Sequence, residues 1–560
     1  MHLSNSRYSQ SGSQSGGLCF VQHQRWMLAL WGGTIAVFFA GPGLAVDSAN
    51  RVLQIGIIQR FGSQATDEIT LKATPGDKLT VQFKTNGKAQ TLTAPEVKLG
   101  IVMQPLPAPV VQERVVLSTN RSFESAEDSA DRWRAKGIAV EIAQPGRWQV
   151  WGKRDVYTSP FLRRMLLESV QTQDDRNPYL ETQTLQQLPK ASWVINGFRY
   201  SRDQLNVTAG KNLIQVTQKV RDDRNTRLYT GNLRLQPNAY GTYTLVNPVP
   251  IETYLRGVVP HEIGIGAPPT AIEAQAILAR TYVLRNLRRF AIDNYELCAD
   301  TQCQVYFGLG DTHPKTDRAI FVTKGLVLTY QNELVDALYS STTGGVTAAF
   351  TDVWNGTDRP YLRPVVDSIA SIWDLSRQSL ADEKNLRAFL GRRQGFNEVG
   401  WDRFRWRFNS TLPELTAQLQ EYLRGIKSPM ADIQSVQAVQ VMKRSTAGRV
   451  LKVAIKTDRG TIEIEKDNIL NALFAPLSTL FYLDPIYGAN KTLKGYTFVG
   501  GGMGHGVGLS QTGSYRLGEL GWSNQRILSF YYPGTELKTI SPAITFWKGN
   551  PIVPDGGNGG

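Results

Sequence analysis

Residues 247–290 read NPVPIETYLRGVVPHEIGIGAPPTAIEAQAILARTYVLRNLRRF. An apolar segment carrying Tyr254, Leu255, Val258 and Val259 runs into Pro260, His261 and a lone carboxylate, Glu262. A Gly/Pro turn follows. Pro268 and Pro269 bar a helix before them and favour one that begins there, since a first-turn residue has no intrahelical use for its N–H. Thr270 with Glu273 reads as a capping box. Ile272, Ala276, Ala279 and Val283, with Ala274, Leu278 and Tyr282 beside them, recur at helical spacing and predict one long amphipathic helix. Its alanines predict close packing. Arg285, Arg288 and Arg289 load the C-terminal end, where the helix dipole favours cations.

Upstream, residues 46–112 are a β-rich segment. RVLQIGIIQ, EITLKA, KLTVQFKTN and KAQTLTA are short, rich in strand formers and broken by Gly, Asn and Pro. LPAP at 106–109 predicts a boundary. Residues 113–172 change rhythm to strand, helix, two strands and helix, with the first helix capped near Ser122 and closed by Gly137. This small α+β module is similar in order and length to the SPOR peptidoglycan-binding domain. Residues 190–250 return to strands separated by turn residues.

Downstream come CADTQCQVYFG (298–308), YSSTTGGVT (339–347), an Arg- and Trp-rich helical insert at 378–425, hairpin-like strands over 435–465, and GMGHGVGLSQTG (502–513). The tail, 549–560, is expected to be disordered.

The chain of 560 residues has 62 Lys+Arg against 48 Asp+Glu, a net +14. Residues 1–24 are Ser/Gln/Gly-rich and carry no acid. Arg25, a short apolar run from Trp26 to Ala40, and Gly43-Leu44-Ala45 form the three parts of a secretory signal, so 1–45 reads as a signal peptide. Its core is short for a membrane span. An uncleaved leader would instead anchor the protein. Losing Arg7 and Arg25 leaves +12, which suits anionic wall polymers or headgroups. No Lys/Arg block or nucleic-acid motif is present, and no nucleic-acid partner is expected. Outside the leader only Cys298, Cys303, His261, His313 and His505 offer thiol or imidazole chemistry.

Taken in order, YLRGVVPHEIG, AIEAQAILARTY, CADTQCQVYFG, YSSTTGGVT, GMGHGVGLSQTG and ILSFYYPGT resemble the SpoIID/LytB family (stage II sporulation protein D and the LytB amidase enhancer). The resemblance covers about residues 245–537 and places a SpoIID/LytB-like domain at 190–540. It implies an exported, peptidoglycan-acting lytic transglycosylase in the periplasm or cell envelope. The substrate would be glycan strands cut at the MurNAc–GlcNAc bond, with a cell-wall amidase as a further partner. The alternative it implies is a non-catalytic, peptidoglycan-binding amidase enhancer. A water-using glycoside hydrolase is a third reading. Sporulation and general wall remodelling both stay open.

On this resemblance Glu262 is the catalytic acid/base. One carboxyl suffices if it protonates the glycosidic oxygen and then deprotonates the sugar's own 6-hydroxyl, closing an anhydro ring. The apolar approach should raise its pKa; otherwise it is an ordinary helix-terminal glutamate. Gln275, Arg280, Tyr282, Gln304, Tyr306, Ser340, Ser341, Gly344, Gly345, His505, Ser510 and Gln511 are the expected glycan-binding set. Trp354 and Tyr361 join Tyr306 as candidate stacking aromatics. Each has a bland alternative: a buried-network arginine, a core tyrosine, a tight glycine turn. Some family members bind zinc near the position of Cys298 and Cys303, with histidines. Here Gln302 stands where the family carries a histidine, so no metal or other cofactor is expected, and a Cys298–Cys303 disulfide is the preferred use. The expected fold class is α+β: a mixed, β-rich, multi-domain chain with antiparallel sheets and a central amphipathic helix forming a groove.

Overall fold

The computed structural model describes residues 51–171, 178–220 and 223–549. The leader at 1–45 and nearly all of the tail lie outside the described residues. The fold is α+β, with several antiparallel sheets.

Two large sheets build the N-terminal half. In the first, Val52–Phe61 lies antiparallel to Tyr243–Pro250, from Val52 opposite Pro250 to Phe61 opposite Tyr243. Its other edge pairs in parallel with Leu297–Cys298. Leu79–Thr85 and Lys88–Ala94 close the far side of the same sheet. The second sheet contains Glu68–Ala73, Leu213–Val220 and the 25-residue strand Glu96–Asn120. Alternation decides the buried faces: Ile69, Leu71, Leu79, Val81, Val97 and Leu99 point into one core shared by both sheets.

This corrects the proposed division at 112/113. Glu96–Asn120 runs straight through it, pairing with Glu68–Ala73 at its start and Trp148–Gly152 at its end. Tyr179–Ile195, mostly unassigned from sequence, pairs along most of its length. Ladder pairing breaks between Pro105 and Val110. The prolines of LPAP therefore sit in a register shift inside a strand, where their missing N–H is tolerated. The segment 46–112 is likewise not separate from 190–540, since Val52–Phe61 is a neighbour of Tyr243–Pro250.

The α+β module has the expected elements. Helix α1 (Phe123–Ala135) is capped by Ser122 and buries Phe123, Ala126, Ala130 and Trp133. Helix α2 (Pro160–Gln171) packs on Glu96–Asn120 and Tyr179–Ile195.

At the centre, the segment before Glu262 is itself a helix, α3 (Ile251–Glu262), with Pro260 in its last turn. Helix α4 (Pro269–Arg285) starts with Pro269 at its first position. Pro268 is its N-cap, so Thr270 lies inside the helix and the predicted capping box does not form. Nor is α4 amphipathic. From Ala271 to Arg285 every residue except Glu273 is buried. It is a core pillar with α3, Pro314–Val322, Gln511–Glu519 and Asn524–Tyr531 around it. Its terminal arginines are clamps rather than dipole partners alone. Arg285 pairs with Asp336 and Glu333, both at 2.6 Å. Arg288 grips Glu127 of α1 through two bonds of 2.6 and 2.7 Å, and Arg289 pairs with Glu124.

The helical insert is also corrected. Helices Glu383–Gly391 and Leu412–Gly425 are separated by the strand Trp406–Thr411, which pairs with Leu493–Gly500. With the three-stranded meander Val436–Arg444, Val450–Thr457, Gly460–Glu465, they form an α+β lobe. Its apolar interior is built on Leu419, Val453, Ile455 and Phe498.

Candidate active site

Glu262 is the last residue of α3. Its Oε1 accepts the Val305 backbone N–H at 2.8 Å. The Tyr339 hydroxyl donates a second bond to the carboxyl group. Behind it, Gln304 donates to the Tyr339 oxygen at 3.1 Å, and the Tyr254 hydroxyl donates to Gln304 Oε1 at 3.1 Å. Gln511 Nε2 donates to the Glu262 carbonyl at 2.8 Å, and the Tyr515 hydroxyl to the carbonyl of Ile263. The end of α3 is thus held by a backbone N–H at Val305 and by side chains from two further segments, around Tyr339 and Gln511.

Burial dominates the acidity of Glu262. It pushes the carboxyl up to about 7, although the bonds from Val305 and Tyr339 favour the charged form. Near neutral pH the group can both give and take a proton.

Glu262 lines a cleft of about 850 Å³. Of the sequence-selected residues, Tyr282, Ser340, Ser341, His505 and Gln511 line it too. Trp354 also lines it, with its ring centroid 5.0 Å from that of His505. Strand Tyr339–Ser340 pairs in parallel with Leu509–Ser510, which explains how the YSSTTGG and GMGHGVGLSQ motifs meet. His505 Nδ1 accepts the Val507 N–H at 3.0 Å and lies 3.2 Å from Ser340 Oγ. Burial, helped by Arg449, pushes this imidazole down to about 4, so it is neutral at pH 7.

The other selected residues do not reach the cleft. Arg280 is fully buried and grips Glu252 through two 2.8 Å bonds. Tyr306 is buried and donates to Asn247 Oδ1 at 2.9 Å. Gln275 lies buried 3.4 Å from Gln511, and Gln304 belongs to the tyrosine relay. Tyr361 packs away from the cleft, with its hydroxyl on Asp336. Gly345 and Ser510, with Thr343 beside Gly344, converge on a residue the sequence did not single out, Glu398. Its carboxylate accepts from Thr343 N at 2.6 Å, Gly345 N at 2.8 Å and Ser510 Oγ at 2.5 Å. Gly344 has φ 76° and lies against the Gly501 backbone, so a side chain there has neither conformation nor room. Beside Glu398, burial and the neighbouring carboxylate hold Asp367 well above the usual carboxylate range, and the two share a hydrogen bond.

Cys298 and Cys303 are joined as a disulfide. His313 caps the helix Pro314–Val322, and His261 Nε2 lies 3.6 Å from Asp311. The four zinc candidates therefore do not offer a tetrahedral N/S donor set. Among the described residues no group of three His, Cys, Asp or Glu side chains converges for a metal.

Sequence reasoning missed several cleft residues. Tyr339 had a usable signal, as the aromatic that opens YSSTTGG. Trp148, Arg121, Arg147, Asp467 and Asn471 had none, because they come from the α+β module and the lobe.

The family described as Stage II sporulation protein (SpoIID) matches residues 239–330, which hold Glu262, Val305, Tyr254 and Gln304. That stretch of the chain is similar to the SpoIID family. A domain of unknown function (DUF8618) matches residues 348–508, which include the lobe and His505. The amidase enhancer of Bacillus subtilis (strain 168) is 30% identical over 292 residues, covering 50% of this chain. The same match spans only 40% of that relative's length. Stage II sporulation protein D of B. subtilis is 25% identical over 54% of this chain and 80% of its own. Its counterpart in Bacillus amyloliquefaciens is 26% identical over 54% and 77%. Arg121 and Asp467, which also line the cleft, lie outside residues 239–330.

Proposed function

We propose that this protein is an exported lytic transglycosylase of peptidoglycan glycan strands, working at the cell envelope. The observation that carries the reading is Glu262: one carboxyl, raised to about 7, in a cleft of about 850 Å³ and fixed by Val305 and Tyr339. Protonated Glu262 gives its proton to the glycosidic oxygen as the bond from C1 breaks. The resulting carboxylate is held by the Val305 N–H and the Tyr339 hydroxyl, which favour that charged form. It then takes the proton of the 6-hydroxyl as that oxygen attacks C1. An anhydro ring forms, the acid is regenerated, and no water is consumed. Neutral His505 and Trp354 also line the cleft.

The second reading, a non-catalytic enhancer of a wall amidase, is favoured by the name of the 30% identical relative. The α+β module, SPOR-like in element order, fits either role as a glycan-holding part. Peptide-free glycan strands incubated with the full-length protein separate the two. Anhydro-muramyl ends formed by the wild type and absent with Glu262→Gln support the enzyme. Amidase stimulation that survives Glu262→Gln, with no ends released, supports the enhancer.

Among the described residues no helix is long and apolar enough to cross a membrane.

A further inference from the structure

Two walls of the Glu262 cleft come from outside the SpoIID match. Arg121, just before the α1 cap, and Arg147, just before the strand Trp148–Gly152, project from the α+β module. Asp467 and Asn471 come from the lobe. Arg121 Nη1 donates to Asn471 Oδ1 at 2.5 Å. The Arg147 guanidinium lies 5.4 Å from the Tyr422 ring centroid. Among the described residues neither arginine makes an ion pair, whereas Arg288 and Arg289 nearby are both matched by α1 glutamates. The two guanidinia are close enough that Arg147 disfavours the charge on Arg121. The acid acting on Arg121 is Asp467, which is buried and keeps Oδ2 without a hydrogen-bond partner. Two guanidinia that supply donors, a carboxyl with one free acceptor oxygen and an amide together suit an anionic, hydroxyl-bearing ligand.

We propose that Arg121 and Arg147 bind the free carboxylate of a muramyl residue flanking the bond at Glu262, while Asp467 and Asn471 take neighbouring hydroxyl or acetamido groups. This subsite rests on the glycan reading of the cleft. It makes the α+β module and the lobe part of substrate selection: a muramyl carboxylate tied up in an amide has no charge to offer. A purely structural role, fastening module to lobe, predicts no dependence on the ligand's carboxylate.

The test is equilibrium binding of peptide-free glycan oligosaccharides to full-length Glu262→Gln protein. The same oligosaccharides with their muramyl carboxylates reduced to alcohols are the comparison. Reduction is expected to weaken binding by about 10-fold or more, the factor for losing a charge-assisted bond. Adding Arg147→Gln is expected to weaken binding to the native strand by a similar factor and to remove the discrimination. Arg147→Lys should restore part of it. Equal binding of native and reduced strands, discrimination that survives both Arg121→Gln and Arg147→Gln, or no binding to either strand, would each overturn the subsite. If the arginine variants fail to fold, the native-versus-reduced comparison on the parent protein decides alone. Because binding is read with Glu262 silenced, a wild type that forms no anhydro ends sinks the catalytic reading without touching this one.

Discussion

Glu262→Gln should stabilise the protein, and only in one pH range. A glutamate free in the unfolded chain titrates near 4.5, and Glu262 in the folded protein near 7. Between those values the folded state binds the extra proton, so wild-type stability falls as pH rises and levels off above 7. A shift of about 2.5 units at ~1.36 kcal/mol each sets a ceiling of about 3 kcal/mol. The side chain is open to the cleft on one side, so roughly 1–2 kcal/mol should survive solvent screening. Gln mimics the protonated acid. It keeps an acceptor for Val305 N–H and carries no charge to desolvate. Denaturant unfolding of both proteins should give equal stability at pH 4.5. The Gln protein should gain through pH 6 and hold a constant advantage by pH 8. A difference that does not change with pH, or a Gln protein that is weaker at pH 8, would refute the burial argument.

Other perturbations test the supports. Tyr339→Phe removes a bond to the charged form of Glu262, so the acid should titrate higher; kcat/KM should fall about 10-fold, with the pH–rate profile moved upward. Glu398→Ala leaves Thr343, Gly345 and Ser510 without their shared acceptor and should cost about 3–5 kcal/mol in denaturant unfolding; a loss under 1 kcal/mol would show that this carboxylate does not hold the two motif loops. Cys303→Ser opens a short loop, since the bonded cysteines are five residues apart, and should cost about 2 kcal/mol, read as a lower melting temperature equal to that of the reduced wild type.

Local signals were legible in the sequence and long-range ones were not. Short strands such as Glu68–Ala73 and Leu79–Thr85 follow alternation, and α1 follows its Ser122 cap and Gly137 stop. Glu262 stood out because a carboxylate after an apolar run is unusual. The LPAP boundary failed because proline in a two-stranded register break looks like a linker in one dimension. The amphipathic reading of α4 failed because alanine marks both close packing and a bland surface, and here all sides are covered. Gln275, Gln304 and Tyr306 were assigned to sugar, yet they bond Gln511, Tyr339 and Asn247 within the protein. A polar residue in a motif reports that its hydrogen bonds matter, not whether a ligand or the protein receives them. Arg121 and Asp467, 346 residues apart, share a cleft only through the fold.

The central claim is that Glu262 closes an anhydro ring without water. Digestion of peptide-free glycan strands by the wild type in ¹⁸O-labelled water measures it directly. Anhydro-muramyl products of unshifted mass are expected, with no product from Glu262→Gln. New reducing ends carrying one ¹⁸O atom would contradict it and make the protein a hydrolase.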